Sequence, residues 1–213
     1  MPVDIPGVAR WREFSTGGRQ VPGITAFPPL PSGFAQLDTV LGGGWPMGGL
    51  TELLVESGAS AELSLLSPAL THLTCGDATA DPAWIMLIAP PWIPYAPGLC
   101  WQGLALPRVL VSDVRRAADA LWAMEAALDS GACAGVIAWA GAAGRVALQR
   151  LHLLAGKRPV WSVLIRAARF RHKPSPAMLR LQLHLQPGTQ TAVRVEIFKY
   201  RLRAAGTVTV VLP

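Results

Sequence analysis

The chain has 213 residues, of which 51% are hydrophobic and 15% are charged. This composition excludes a wholly disordered chain, and the length suits one domain with a substantial core. Proline, glycine or charge interrupts each apolar run well before the 18 residues of a membrane-spanning helix, and the N-terminus lacks the basic start and apolar core of a secretory signal. We therefore expect a cytoplasmic protein with no membrane partner.

The net charge of +6 hides a strong asymmetry. Residues 1–144 contain 6 Lys/Arg and 12 Asp/Glu, a balance of −6, whereas residues 145–213 contain 13 Lys/Arg and 1 Asp/Glu, a balance of +12. Such a basic region predicts an anionic partner, with nucleic acid first and an acidic protein surface second.

The three cysteines, Cys75, Cys100 and Cys133, are widely spaced and form no Cys-x-x-Cys pair. Neither a disulfide framework nor a zinc site is therefore indicated. His72 and Asp77 flank Cys75, but a fourth metal ligand is missing, so we predict no metal site and no cofactor.

Residues 1–35 contain six prolines and predict an irregular N-terminal arm, either docked through Trp11 and Phe14 or loosely ordered. Residues 36–213 follow as one α/β domain, because buried apolar strands alternate with helical patterns. Pro68 is expected to bend or split its helix, and Ser112 is a candidate N-cap. The predicted strands span 50–55, 83–89, 108–111, 133–140, 159–165, 178–186, 192–199 and 207–212, and the predicted helices span 59–73, 113–129 and 145–155.

The first strand, a turn of small residues and the following helix form the frame of a phosphate-binding loop. A working loop has the pattern Gly-x-x-x-x-Gly-Lys-Ser/Thr. Aligned without gaps from Thr51, the two glycines, the lysine and the hydroxyl fall on Val55, Ser60, Ala61 and Glu62. The lysine becomes a methyl group and the hydroxyl becomes a carboxylate that repels a triphosphate. The sequence therefore predicts a degenerate loop and no enzyme activity.

Two further regions suit binding. Residues 90–101 hold Trp92, Tyr95 and Trp101 among four prolines, which suits stacking on bases or anchoring a partner protein, although they could also cover the sheet edge. The C-terminal region combines basic side chains with one loop aromatic, which suits phosphate contacts, although it could also be a solvated face. Alternation places His184 on an exposed strand face. The candidate DNA- or partner-binding residues are Arg166, Arg169, Phe170, Arg171, Lys173, Arg180, Lys199, Arg201 and Arg203.

The segment LDTVLGGGWPMGGLTELL closely resembles the one that leads into the nucleotide loop of RecA-type recombinases. Together with IAPPWIPYAPGL, RAADALWAMEAALDSGACAGVIAW and PSPAMLRLQL, it resembles the ImuA family over roughly residues 30 to 200. These RecA-like accessory proteins are encoded with ImuB and an error-prone DnaE-type polymerase in bacterial mutagenesis cassettes.

The resemblance implies a RecA-like domain with a central, mainly parallel sheet flanked by helices and with C-terminal antiparallel strands. In an active RecA-like ATPase, one strand ends in the glutamate that polarises the attacking water and another in the aspartate that holds the magnesium-bound water. These positions fall on Pro90 and Trp139. The resemblance therefore implies no catalytic residue.

The implied function is an accessory role in error-prone translesion DNA synthesis within the SOS response. The implied partners are an ImuB-type Y-family polymerase-like protein and RecA or its filament, then the DnaE-type polymerase and single-stranded DNA, with nucleoid association after DNA damage. An alternative is a SulA-type inhibitor that binds the tubulin-like division GTPase. A third is an atypical ATPase whose Ser57, Gly58 and Ser60 bind phosphate without a lysine.

Overall fold

The computed structural model describes residues 27–56, 61–77, 81–186 and 192–212. Most of the predicted N-terminal arm, including Trp11 and Phe14, lies outside the described residues, as do Ser57, Gly58 and Ser60. The end of that arm packs on the domain, because Leu30 is buried and pairs with Trp45 through an isolated antiparallel bridge.

Eight strands form one mixed sheet in the described part of the chain, in the order β3-β2-β4-β5-β1-β6-β7-β8. The first six strands in this order run parallel, and β7 and β8 are antiparallel. This architecture confirms the predicted α/β class with antiparallel C-terminal strands. The strands are β1 Gly49–Val55, β2 Ile85–Ile88, β3 Val109–Ser112, β4 Gly135–Trp139, β5 Trp161–Ala167, β6 Leu179–Gln186, β7 Ala192–Tyr200 and β8 Gly206–Val211.

Helices cover the two faces of the sheet. The α-helices are α1 Ala35–Leu41, α2 Ala61–Cys75, α3 Ala96–Trp101, α4 Ala117–Ser130 and α5 Arg145–Ala155. Apolar side chains of α1, α2 and α3 share one core with the sheet, and those of α4 and α5 share another. We call these two sides of the sheet the α2 face and the α4 face.

Strand β1 lies between β5 and β6, and every residue from Gly49 to Leu54 is buried. A parallel strand that is covered on both faces needs a continuous apolar run, which explains the sequence LTELLV. Glu52 is the one charged residue of β1, and its position beside Arg180 on β6 accounts for it.

The antiparallel strands β7 and β8 are covered unequally. Val193, Val195 and Ile197 of β7 join the core on the α2 face. On the α4 face, β6 and β7 are instead crossed by residues 168–178, which connect β5 to β6 and which we call the strap. Hydrogen bonds from Arg171 of the strap to Gln182 and Glu196 place it over these two strands.

Several predicted element boundaries need correction. Ser112 does not cap a helix, because it is the last residue of β3 and its carbonyl accepts the backbone N–H of Ala89. Helix α4 begins four residues later than predicted, at Ala117, and has no side-chain cap. Pro68 lies inside α2 without splitting it. Helix α3 was missed because its four neighbouring prolines predicted an irregular loop.

Within the described ranges, no helix is both long and apolar enough to cross a membrane.

Candidate binding surfaces

The segment predicted to be a degenerate phosphate loop lies between the end of β1 and the first turn of α2. Glu62, in that turn, is only 4% exposed. Its Oε1 accepts a hydrogen bond from Nε1 of Trp139, at the end of β4, over 3.2 Å. The structure thus brings together Glu62, which the phosphate-loop pattern aligned with the magnesium hydroxyl, and Trp139, which the resemblance aligned with the magnesium aspartate.

These two side chains leave a poor environment for a triphosphate. The second carboxylate oxygen of Glu62 is buried and accepts no hydrogen bond from any described residue. A carboxylate in the first turn of a helix is favoured by the helix dipole, which is the interaction that a bound phosphate uses in working loops. Ala61 offers no cation in place of the missing lysine.

Pro90 lies beside a cleft of about 440 Å³ at the carboxyl ends of β2, β3 and β4. Trp139 also lines this cleft, and the charged lining residues are Asp113, Arg115 and Arg116. Carboxyl ends of parallel strands are where α/β proteins commonly bind ligands.

A buried ionic cluster joins β1, β5 and β6. Glu52 is fully buried and accepts hydrogen bonds from Nη1 of Arg166 over 2.5 Å and from Nε of Arg180 over 2.6 Å. The two guanidinium groups belong to residues that are 3% and 5% exposed. Arg166 and Arg180, which the sequence predicted to contact DNA or a partner, thus have their charged groups buried and paired with Glu52 inside the domain.

The same two arginines hold neighbouring backbone in place. Arg166 donates to the carbonyl of Ala143, over 3.1 Å, in the loop between β4 and α5. Arg180 donates to the carbonyls of Phe170 and Arg171 in the strap, over 3.1 and 3.2 Å. The alternation of side chains along β6 could not indicate that Arg180 is buried. It predicts which residues share a face of the strand, but not which part of the chain covers that face.

Arg171 anchors the middle of the strap. Its guanidinium donates to both carboxylate oxygens of Glu196 on β7, over 2.9 and 2.6 Å. The hydrogen bond from Arg171, with a smaller contribution from His184, lowers the pKa of Glu196. Bidentate pairing of this kind is geometrically specific, so the guanidinium of Arg171, a predicted DNA or partner contact, holds the strap to β7 in this structure.

The ring of Phe170 also packs against charged side chains of the domain. The guanidinium carbons of Arg166 and Arg169 lie 4.3 and 5.2 Å from its ring centroid, which is within cation–π range. In the same way, Arg171 and Arg180 lie over Phe198. The expected stacking of Phe170 on a base does not fit this packing.

The remaining basic candidates stay accessible to different degrees. Arg169, Lys173, Arg201 and Arg203 are exposed. Lys199 is partly buried, its Nζ donates to the carbonyl of Ser175 over 2.5 Å, and burial, followed by the nearby charge of Arg201, lowers its pKa.

Two further residues belong to the basic region. Arg194 on β7 is exposed, in agreement with the alternation of β7, but it was left out of the candidate set. His184 was expected to be exposed, but it is partly buried, with Nε2 3.3 Å from Glu196 and Nδ1 3.6 Å from Glu56.

The predicted aromatic partner residues form a second surface. Trp92, Tyr95 and Trp101 are 74%, 70% and 88% exposed, and Ile93 between them is 96% exposed. They therefore do not cover the sheet edge. Ile93 was missed, although its place among the aromatics was visible in the sequence. We call these four residues the aromatic surface.

The residues considered as metal ligands are otherwise engaged. His72 lies 3.5 Å from Asp77, and Sγ of Cys75 donates to the carbonyl of Gly103. In the part of the chain that the structure describes, no three His, Cys, Asp or Glu side chains form a group that could hold a metal ion.

A comparison with models of known protein families gave no match to this chain, and a comparison with curated proteins gave no match either.

Proposed function

We propose that this protein is a non-catalytic RecA-like accessory protein of error-prone translesion DNA synthesis, and that it acts by binding an ImuB-type protein and RecA. The observation that carries the binding role is the aromatic surface. Large apolar side chains held on a proline-rich segment are typical anchors of protein interfaces, and Trp and Tyr are enriched among the residues that dominate binding energy.

The RecA-like part of the proposal rests on the resemblance and is supported by the contact between Glu62 and Trp139. The gapless alignment from Thr51 assigned Glu62 to the end of the phosphate loop, and the resemblance assigned Trp139 to the end of a later strand. The two positions are independent in sequence, yet their side chains form a hydrogen bond. A carboxylate and an indole at this place support an adaptor in preference to an ATPase.

The edge strand β3 is a second exposed feature that suits a partner. It pairs only with β2 in the described sheet, and its Leu110 and Val111 are 42% and 50% exposed. An exposed edge strand is a template for a partner segment, which adds main-chain hydrogen bonds to the contacts made by apolar anchors. We propose that ImuB-type or RecA protomers dock along this edge of the sheet.

Affinity capture of the tagged protein from DNA-damaged cells, with nuclease added, tests the partner class. We expect recovery of an ImuB-type protein or RecA through a contact that survives removal of DNA. Recovery of the tubulin-like division GTPase alone would refute the mutagenesis role and support the SulA-type alternative.

A matched pair of tryptophan variants then tests the surface with the captured partner in purified form. Trp101→Ala removes an 88% exposed indole from the aromatic surface, and Trp122→Ala removes a 70% exposed indole from α4. We expect Trp101→Ala to weaken binding by about thirtyfold, the loss typical of an interface anchor, and Trp122→Ala to leave it unchanged. Equal affinities of the two variants would exclude the aromatic surface from the interface.

A further inference from the structure

An uncovered sheet surface lies on the α4 face of the antiparallel strands. Arg194 on β7 pairs with Thr209 on β8, and Glu196 pairs with Thr207, so these side chains share one face. Arg194 and both threonines are exposed, and among the described residues no helix packs over them. The strap borders this surface, which we call the extension face.

The charge on and around the extension face is net positive, although Glu56, which follows β1, lies 3.6 Å from His184 at its edge. The single acidic residue of the C-terminal third is Glu196, which is already engaged by Arg171 and His184. The exposed cations have no acidic partner in the described part of the structure, so their charge is available to an external anion. These cations are Arg169 and Lys173 on the strap, Arg194 on β7, and Arg201 after β7.

The extension face lacks the aromatic anchors of a protein interface. The large exposed aromatic side chains of the described chain all precede residue 145, on the aromatic surface and at Trp122 of α4. The two phenylalanines nearest to the exposed cations, Phe170 and Phe198, lie under guanidinium groups. Arginine, lysine and threonine side chains without free aromatics match phosphate oxygens better than they match a protein surface or stacked bases.

We propose that the extension face and the strap bind the phosphate backbone of single-stranded DNA without stacking on its bases. This inference rests on the proposed function for its choice of single-stranded DNA as the anion. It differs from the sequence-based expectation in its residues, because Arg194 and the threonines replace Arg171, Arg180 and Phe170. Backbone-only contacts give affinity that is independent of sequence and steeply dependent on salt.

Fluorescence anisotropy of the full chain with a labelled oligothymidylate of about 20 nucleotides tests the proposal, because single-strand sites commonly span about 4–16 nucleotides. The test variant carries Arg169→Glu, Lys173→Glu and Arg194→Glu. The control carries the same three charge reversals on other exposed positions, Arg115→Glu, Arg116→Glu and Arg145→Glu. Circular dichroism melts establish that both variants remain folded.

We expect the test variant to bind at least about tenfold more weakly at 100 mM salt, and the control to lose about threefold or less through the long-range field alone. Loss of three phosphate contacts also makes the slope of log K against log salt shallower by about 2, at about 0.7 per contact for single strands. An oligodeoxyadenylate of equal length is expected to bind like the oligothymidylate, because the bases are not read.

Several results would overturn the proposal: equal losses in the test variant and the control, absence of binding by the unmodified protein at about 50 mM salt, or tighter binding to a duplex of the same length. Competition by polyglutamate that matches the oligonucleotide charge for charge would overturn it in favour of an acidic protein partner. A negative result in this DNA-binding test does not refute the proposed function. Partner capture is done in the presence of nuclease, and the binding assay for the captured partner depends on Trp101.

Discussion

The indole of Trp139 and the carboxylate of Glu62, 77 residues apart, form a hydrogen bond of 3.2 Å at the carboxyl end of the sheet. A hydroxyl and an aspartate that share a magnesium ion would place two oxygen ligands here. The indole is a donor only, so it pairs with one carboxylate oxygen of Glu62 without a metal, while the other oxygen accepts no hydrogen bond from the described residues.

Truncation of Glu62 tests this contact. Glu62→Ala leaves the indole N–H of Trp139 without its acceptor, and we expect a loss of about 1–3 kcal/mol in the free energy of unfolding. Glu62→Gln keeps an acceptor oxygen for the indole and is expected to cost less. Urea denaturation measures both values. If the two variants were equally destabilised, the hydrogen bond would not be the source of the effect.

Magnesium and ATP should not stabilise the protein. A ligand that binds only the folded state raises stability by RT ln(1 + [L]/Kd), so ATP well above its Kd would raise the melting temperature by several degrees. We expect a shift of less than about 1 °C in the presence of ATP and magnesium, because Glu62 repels the triphosphate and no lysine attracts it. A clear increase in melting temperature would support the atypical ATPase.

Glu52 is expected to be among the most sensitive positions in the chain. Glu52→Gln leaves two buried guanidinium groups without a counter-charge, and removing one partner from a buried ionic cluster typically costs about 3–5 kcal/mol. Glu125→Gln is the matched control, because its partner Arg150 is 65% exposed and such pairs contribute about 0.2–1 kcal/mol. Urea denaturation should separate the two substitutions clearly, and similar losses would contradict the buried cluster.

The attachment of the strap should depend on pH through Glu196. Its pKa is lowered in the folded state, chiefly by the hydrogen bond from Arg171. The ionised carboxylate of Glu196 therefore contributes to the free energy of unfolding. This contribution is fully present above the pKa of an unfolded glutamate, about 4.3, and is lost as the pH falls through the lower pKa of the folded state. Glu196→Gln should therefore reduce the pH dependence of unfolding below about pH 4.3. An unchanged profile would show that this pair does not hold the strap.

The pKa of His152, in the last turn of α5, reports on the positive charges of nearby side chains. Its Nδ1 accepts the backbone N–H of Leu50, and burial, followed by the charges of Arg201 and Lys199, lowers its pKa. The neutral imidazole stabilises the fold, so this contribution is lost as the pH falls from about 6.5 towards the lower folded pKa. NMR titration should show a higher pKa in Arg201→Ala, and an unchanged value would place Arg201 too far away to act.

The fold class was predictable because its signals are local. The continuous apolar run of β1 and the helical periodicity of residues 145–155 follow from which faces are buried, and the latter range matches α5 at both ends. The predicted start of helix α4 was too early because serine is a common N-cap residue. Ser112 is instead the last residue of β3, where its backbone pairs with the sheet. A cap depends on where the preceding strand ends, which local sequence does not determine.

The candidate site was predictable in composition and less so in its arrangement. The basic character of the C-terminal third was evident from the sequence. The sequence could not show that Glu52, more than a hundred residues earlier, forms buried ion pairs with Arg166 and Arg180. Long-range pairing of charges leaves no periodic signal. Exposure of the aromatic surface was equally undetermined, because a tryptophan on a proline-rich loop suits both a buried cover and an exposed anchor.

The order in which the ribosome makes the chain gives the buried cluster a further consequence. Glu52 is synthesised 114 residues before Arg166 and 128 residues before Arg180. At a synthesis rate of roughly 5–20 residues per second, β1 is made on the order of ten seconds before β5 and β6 are complete. Until then, Glu52 lacks the two arginines that compensate the burial of its charge. The domain should therefore complete its folding only after β6 has emerged from the ribosome, and chains that end before β6 should be substrates for chaperones and proteases.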